Sequence, residues 1–337
     1  MLDVFKRFCV LFVAIRGYSL PISIMSWTVP FVFALTMGGN FLYGIISLLG
    51  IILLHAGVNV FDDVVDYYRE KVAIDKGLKQ TFNFQKGKCA CILDGSIPFD
   101  KYCILTFILF LFPLFIAIYF FSIYGVQLLP IIIPTMLLCL LYPILGCLGL
   151  GEVIVAIVFS PLLYLGVFYV MTGFYSLDIL LISISTGLLS VAVLHNHMLL
   201  DFKFDKANRK ITLCRFCKTE QRALLLLGGI VVGAFLNIII SVIFFKLSLF
   251  YLLTLMCIPT AITLYNVMTI HVTNPDEKIE PNIFMGNVKE IEKFPEEQRS
   301  FLIKFLIVRN LLSIFTLLIC ISIVLDKIFW CILLKKL

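Results

Sequence analysis

The segment His55 to Lys71, HAGVNVFDDVVDYYREK, ends a long apolar run with four acids, Asp62, Asp63, Asp66 and Glu70. On a helix of about 3.6 residues per turn, Asn59, Asp62, Asp66 and Glu70 share one stripe and Asp63 lies beside it. Stacked carboxylates repel, each pair by roughly 4 kcal/mol at about 4 Å and an effective dielectric near 20. Each Asp also costs about 2.5–3.5 kcal/mol at the centre of a bilayer, less toward its surface. A cation relieves both penalties.

The bilayer follows from composition. Of 337 residues, 61% are hydrophobic and 14% charged, and mean hydropathy is +1.06. Apolar runs long enough to cross a membrane recur along the chain. They predict an all-α polytopic membrane protein, one domain over residues 1–337, with about nine helices around a central cavity. The expected spans are Ser19 to Met37, Leu42 to Asp66, Cys103 to Tyr124, Gln127 to Cys147, Glu152 to Thr172, Ser176 to Leu200, Ala223 to Phe245, Leu249 to His271 and Phe301 to Leu325. Runs this long without alternation read as helices rather than barrel strands. The apolar stretch after Lys6 and Arg7 lacks a small-residue cleavage site, so no removable signal peptide is expected.

Charge sets the orientation. Arg69 to Lys101 and Lys203 to Arg222 are long and basic, Val272 to Ser300 is long and mixed, and the connections between them are nearly bare. The positive-inside rule places the N-terminus and these loops in the cytoplasm, in a cell inner membrane. The net charge of +6 suits anionic lipid and phosphate. No nucleic-acid partner is expected, because the basic residues are divided among loops.

The acidic pattern has an echo. The sixth span ends LHNHMLLDFKFDKANRKITL, in which Asp201 and Asp205 repeat the i, i+4 spacing of Asp66 and Glu70, with Asn196 and His197 a turn earlier. Two acidic helix ends, each followed by a basic loop, suggest an internal pseudo-repeat whose halves face one cavity. Oxygen-only ligands suit Mg²⁺, which bridges carboxylates to phosphates. Lys71, Lys203, Lys206, Arg209 and Lys210 supply phosphate-binding charge. Together these describe a diphosphate site, and a diphosphate whose hydrocarbon tail lies in lipid is an isoprenyl diphosphate.

Two cysteine pairs, Cys89 with Cys91 and Cys214 with Cys217, stand out among eleven cysteines. Four thiolates would suit zinc, but they are read as unpaired thiols. His195 and His197 point about 200° apart on a helix and do not share one ion. His197, one turn before Asp201, is the better site candidate, and His55 and His271 read as helix-end histidines.

The order of these motifs resembles the UbiA superfamily of intramembrane prenyltransferases across essentially the whole chain. GLGEVIVAIVFSPLLYLGVFYVMTG (Gly149 to Gly173), DKANRKITL, and FMGNVKEIEK with IVRNLL (Phe284 to Leu312) make it most similar to the menaquinone-type, dihydroxynaphthoate branch. The resemblance implies that Asp62, Asp63, Asp66, Glu70, Asp201 and Asp205 hold Mg²⁺ on a polyprenyl diphosphate. It implies substrate-binding roles for Arg16, Asn59, Lys71, Asn196, His197, Lys203 and Lys210. An aromatic acceptor such as 1,4-dihydroxy-2-naphthoate would then attack the allylic cation, with Tyr142, Phe168 and Tyr169 as candidate lining.

The chain departs from the family pattern at Asp62, Glu70, His197 and Leu200, and YPILGCLGLGE lacks the basic residues usual before GLGE. Lys79, Lys86 and Lys88 are candidate substitutes. Alternative acceptors are hydroxybenzoate, homogentisate, a porphyrin-type ring or a glycerol phosphate lipid. A cation-coupled transporter is the reading from another class, but its sites belong near the midplane on broken helices. Cysteine labelling in a cysteine-free background is expected to reach the 76–88 and 207–218 loops from the same, cytoplasmic side; labelling from opposite sides would break the two-motif argument.

Overall fold

The computed structural model describes residues 2–75, 88–207, 210–275, 277–286, 291, 293, 294 and 296–334. Lys79, Lys86 and Arg209 lie outside them. Among the described residues all regular structure is helical. Eight helical stretches are long and apolar enough to cross a membrane. The longest, Phe99–Gly146, has 48 residues, about 72 Å at 1.5 Å per residue, more than twice a bilayer core of about 30 Å. It is broken at Gly125, where φ is 65°, into α5 (Phe99–Tyr124) and α6 (Leu129–Gly146). Counting these separately gives the expected nine.

The chain packs as two compact units, residues 1–24 with 41–145 and residues 25–40 with 146–337, divided within α2 (Leu20–Thr36). The first also contains α1 (Leu2–Ala14), α3 (Phe41–Asp75) and α4 (Ala90–Leu93). α3 has 35 residues, so it runs about 52 Å and continues nine residues beyond its expected end at Asp66. It packs antiparallel to α5: Tyr43 meets Phe120, Gly50 meets Ile116, Gly57 meets Leu109, and Tyr67 meets Phe99. Gly50 and Gly57, two turns apart, let the backbones approach, the usual way that helices pack where lipid removes the hydrophobic drive.

In the second unit α9 (Leu177–Leu200) is the axis. Two-thirds (67%) of its best apolar window is buried, more than in any other candidate span. Its neighbours include α7 (Gly151–Ile157), a π-helical turn at Val158–Leu162, α12 (Glu220–Phe245) and α14 (Glu296–Leu334). The π turn contains Pro161, which cannot donate the regular helical bond and so widens the turn. Beyond it α8 (Leu163–Thr172) continues the span. Polar links replace hydrophobic drive here too: Ser160 donates to the Ser183 carbonyl at 2.7 Å, Ser185 to that of Ala234 at 2.8 Å, and Asn237 to that of Leu181 at 2.9 Å. Shorter helices follow α9, namely α10 (Phe202–Ala207) and α11 (Leu213–Phe216). The eighth expected span starts as a 3₁₀ segment, Leu249–Cys257, before α13 (Ile258–Thr273).

A Cβ added at Gly187 would lie 2.3 Å from Ser160 Cβ, whereas one at Gly146 meets nothing within 4 Å. Alanine gains about 1 kcal/mol of helix propensity over glycine, but forcing α9 away from the π turn costs about 1–3 kcal/mol. Gly187→Ala is therefore expected to lower the melting temperature in detergent, and Gly146→Ala not to lower it. Equal melting of the two variants would refute the close approach.

Candidate functional site

The first acidic set lies on α3 and is met by two cations from outside that helix. Arg16 occupies the break between α1 and α2 in a left-handed conformation, φ 51° and ψ 50°. This costs a non-glycine residue roughly 1–2 kcal/mol. Ser19 donates to the Arg16 carbonyl at 2.9 Å, and the Asn59 amide donates to the Ile15 carbonyl at 3.1 Å and to Ser19 Oγ at 3.0 Å. So held, the guanidinium donates to Asp63 and, at 3.1 Å, to Asp62. Asn59, expected to bind substrate, has its amide committed to fixing this turn.

The second cation is Lys88. Its ammonium donates to Asp62 at 2.9 Å and to Asp66 at 2.6 Å, so one positive group bridges two carboxylates a turn apart. Lys88 precedes Cys89, another left-handed residue, at φ 52°. Burial works against the charge of Arg16 and Lys88, but the adjoining carboxylates outweigh it and hold both well above their ordinary range. Lys71, expected to supply this charge, is exposed, and Glu70 is half-buried further along α3. Asp63 is the most enclosed of the four acids, 1% exposed, and also accepts from the Tyr102 hydroxyl at 3.4 Å.

His55 is not at a helix end, because α3 continues to Asp75. Its ring nitrogens lie 3.3 Å from Ser19 Oγ and 2.6 Å from Ser23 Oγ, tying α3 to the start of α2. Tyr142 is half-buried on α6.

The second acidic set ends α9 and enters α10. Asp201 caps α9 and faces His197, with Nε2 to Oδ2 at 3.3 Å. Asp205 is fully buried and meets Lys210 at 3.5 Å. Burial pushes both carboxyls above the ordinary range, and Lys210 pulls against it. Arg215, absent from the expected set, donates to the backbone carbonyls of Asp205 at 2.9 Å and Lys210 at 3.2 Å, closing the loop between them. Lys203 is exposed. Asn196 is fully buried and donates to the Lys304 carbonyl at 3.0 Å, which ties α9 to α14.

Phe168 and Tyr169 pack away from these acids. Tyr169 lies 4.4 Å from Tyr175 and Phe168 5.2 Å from Phe174, ring to ring. Both partners precede the first residue of α9, whereas Asp201 follows its last, about 36 Å away along 24 residues. These aromatics are packing residues. Cys89 and Cys91 turn their thiols to the carbonyls of Asp63 and Val10 at 3.3 and 3.6 Å. Burial pushes both thiols up.

The fold and site define a helical integral membrane protein with acid sets at two helix ends and cations folded back onto them. Residues 22–288 match the model of the UbiA prenyltransferase family, and the chain belongs to that family. It is a prenyltransferase. Solved structures share the fold: a digeranylgeranylglyceryl phosphate synthase in membranes (16% identity, 94% of this chain, 99% of that one, TM-score 0.58), and a UbiA homologue from Aeropyrum pernix K1 (14%, 90% and 98%, 0.54). A third is a UbiA homologue from Archaeoglobus fulgidus bound to GPP and Mg²⁺ (13%, 90% and 99%, 0.55). No curated protein matches the sequence.

Removing one partner of a buried ion pair strands the other charge, at a cost of about 3–5 kcal/mol. Arg16→Gln leaves enclosed Asp63 without its guanidinium and is expected to cause a large loss of thermal stability. Lys71→Gln should leave melting unchanged. Equal effects of the two would contradict the ion-pair geometry.

Proposed function

We propose that the chain transfers an isoprenyl group from a polyprenyl diphosphate to an aromatic acceptor, 1,4-dihydroxy-2-naphthoate being the leading candidate, with Mg²⁺ as cofactor. The observation that carries the reading is the bridging of Asp62 and Asp66 by the single Lys88 ammonium. An oxygen-only pair that already receives one cation fits Mg²⁺. Asp62, Asp63, Asp66 and Glu70 in one set and Asp201 and Asp205 in the other are the proposed holders. When bound, the ion would neutralise the diphosphate as a Lewis acid.

The chain's own residues do the rest. Arg16, Lys88 and Lys210 present charged donors to diphosphate oxygens, and these bonds strengthen as the allylic C–O bond breaks and charge collects on the leaving group. Lys88 exchanges its carboxylate partners for phosphate as the substrate arrives. His197, beside Asp201, and exposed Lys203 are proposed outer contacts. Tyr142 is the remaining candidate for shielding the allylic cation. The acceptor ring's π electrons form the new C–C bond, and the ring then loses its carboxylate as CO₂.

The acidic loops and the N-terminus are proposed to face the cytoplasm, the prenyl tail lying in lipid. Support comes from the basic loops and from the family; the Archaeoglobus fulgidus homologue is itself a complex with GPP and Mg²⁺.

The test is incubation of the full-length protein with Mg²⁺, labelled geranylgeranyl diphosphate and a panel of acceptors, with products identified by mass. A decarboxylated prenyl-1,4-naphthalenediol is expected. Product only with hydroxybenzoate, homogentisate, a porphyrin or a glycerol phosphate lipid would move the assignment to that acceptor, and none from folded protein would overturn it. Asp66→Asn and Asp201→Asn are each expected to abolish turnover while leaving the protein folded, and near-normal Mg²⁺-dependent activity in either would remove its residue from the site.

A further inference from the structure

Glu152, His195 and Cys214 form a second convergence of polar side chains, wholly within the second unit and separate from the acids. They come from the first turn of α7, the last two turns of α9, and α11. All three are buried, at 3%, 0% and 0% exposure. One ligand atom from each lies within 4.8 Å of the others. His195 Nδ1 is 3.7 Å from Glu152 Oε1, and Cys214 Sγ stands over the ring, 3.4 Å from Nδ1 and 3.5 Å from Nε2, with its thiol donating to the His195 carbonyl at 3.5 Å.

The tautomer is set from outside the cluster. His195 Nε2 lies 3.0 Å from the Ala223 carbonyl oxygen. A carbonyl only accepts, so Nε2 carries a proton, and in the neutral ring the remaining lone pair is that of Nδ1, on the side of the carboxylate. Glu152 Oε1 receives no hydrogen bond from any described group. Two acceptors thus face each other inside the protein at a separation too long for a proton to bridge well. Three donors converging on one point, with the remaining imidazole N–H fixed by a backbone carbonyl, is the arrangement of a metal ligand set and its supporting shell.

We propose that Glu152, His195 and Cys214 bind a transition-metal ion, Zn²⁺ in the cell. Mixed O, N and S donors suit zinc and not Mg²⁺, which takes oxygen. Tetrahedral zinc with bonds of about 2.0–2.3 Å holds its ligand atoms roughly 3.3–3.8 Å apart, so binding turns the Cys214 side chain from over the ring to the Nδ1 side, where Glu152 already stands. Burial, and then the Glu152 charge, push the Cys214 thiol up, so the entering ion displaces its proton. Cys217 is not required: its thiol turns to the Leu213 carbonyl at 3.6 Å, and water completes the shell. The ion's task is positional. Cys214 adjoins Arg215, which closes the loop carrying Asp205 and Lys210, so the metal pins that loop to α7 and α9.

The test uses full-length protein stripped with chelator, incubated with Co²⁺ alone and desalted. About one bound cobalt per chain is expected, with a thiolate-to-cobalt charge-transfer band that Zn²⁺ abolishes and excess Mg²⁺ does not. Cys214→Ser should lose the band; Cys217→Ser and Asp201→Asn should keep it. Should Cys214→Ser fail to fold, Glu152→Gln, nearly the same size, is expected to weaken cobalt binding by about tenfold or more. No cobalt uptake by the wild type, or a band that survives in folded Cys214→Ser, overturns the site. Because the readout is metal content and spectrum, it stands or falls independently of the prenyl transfer assay.

Discussion

The cost of carboxylates at a bilayer edge governs the first unit. Asp62, Asp63 and Asp66 crowd one end of α3, and three mutually repelling charges of roughly 4 kcal/mol per close pair cannot stay ionised there without cations. Two arrive by unfavourable local backbone. Arg16 is itself left-handed, and Lys88 is delivered next to left-handed Cys89. Each turn spends about 1–2 kcal/mol, far less than the repulsion it relieves. The break between α1 and α2 and the seating of α4 against Val10 and Ala14 follow from the need to bring residues 16 and 88 to one place.

The second unit meets the same solvent differently. Its axial helix buries serines, a threonine, a histidine and an asparagine rather than paired ions. Each of these has a donor directed at a carbonyl of its own helix or of a neighbour: Ser185 on α12, Asn196 on α14, His195 on Ala223. Where lipid supplies no hydrophobic drive and no water, these bonds and close approaches such as Gly187 against Ser160 hold the helices together. Glu152 Oε1, like Asn196 Oδ1 and Ser241 Oγ, receives no described hydrogen bond; what sets it apart is that it is a carboxylate oxygen facing His195 and Cys214.

What was legible in the sequence follows from period and length. Helix count and span positions could be read because a crossing fixes the length of an apolar run. The acid stripe could be read because i, i+4 spacing survives without any knowledge of tertiary structure. The cations could be named but not placed: Lys88, one of three candidate lysines, is 26 residues from Asp62 in chain order, and no periodicity links a loop to a helix face. Lys71 sits next to Glu70 in sequence yet is exposed, while Arg16 was reached through family resemblance. The angular argument that separates His195 from His197 holds, since His197 faces Asp201 and His195 faces Glu152 and Cys214. Its consequence was hidden, because the partners of His195 come from α7 and α11 and meet only in the fold.

The GLGE stretch, which carries much of the resemblance to one branch, acquires a folding role. Gly149 has φ of 80°, and a Cβ there would lie 2.5 Å from the Phe216 ring and 3.2 Å from Ile211. Any side chain at 149 would strain the turn and push α11 away from the start of α7. Two residues on, Gly151 opens the helix whose second residue, Glu152, meets His195 and Cys214. Separating α11 from α7 would pull Cys214 from Glu152 and loosen the loop that Arg215 closes around Asp205. A chain that keeps this loop needs glycine at 149 whatever its acceptor, so the motif has a part in supporting the second acidic set.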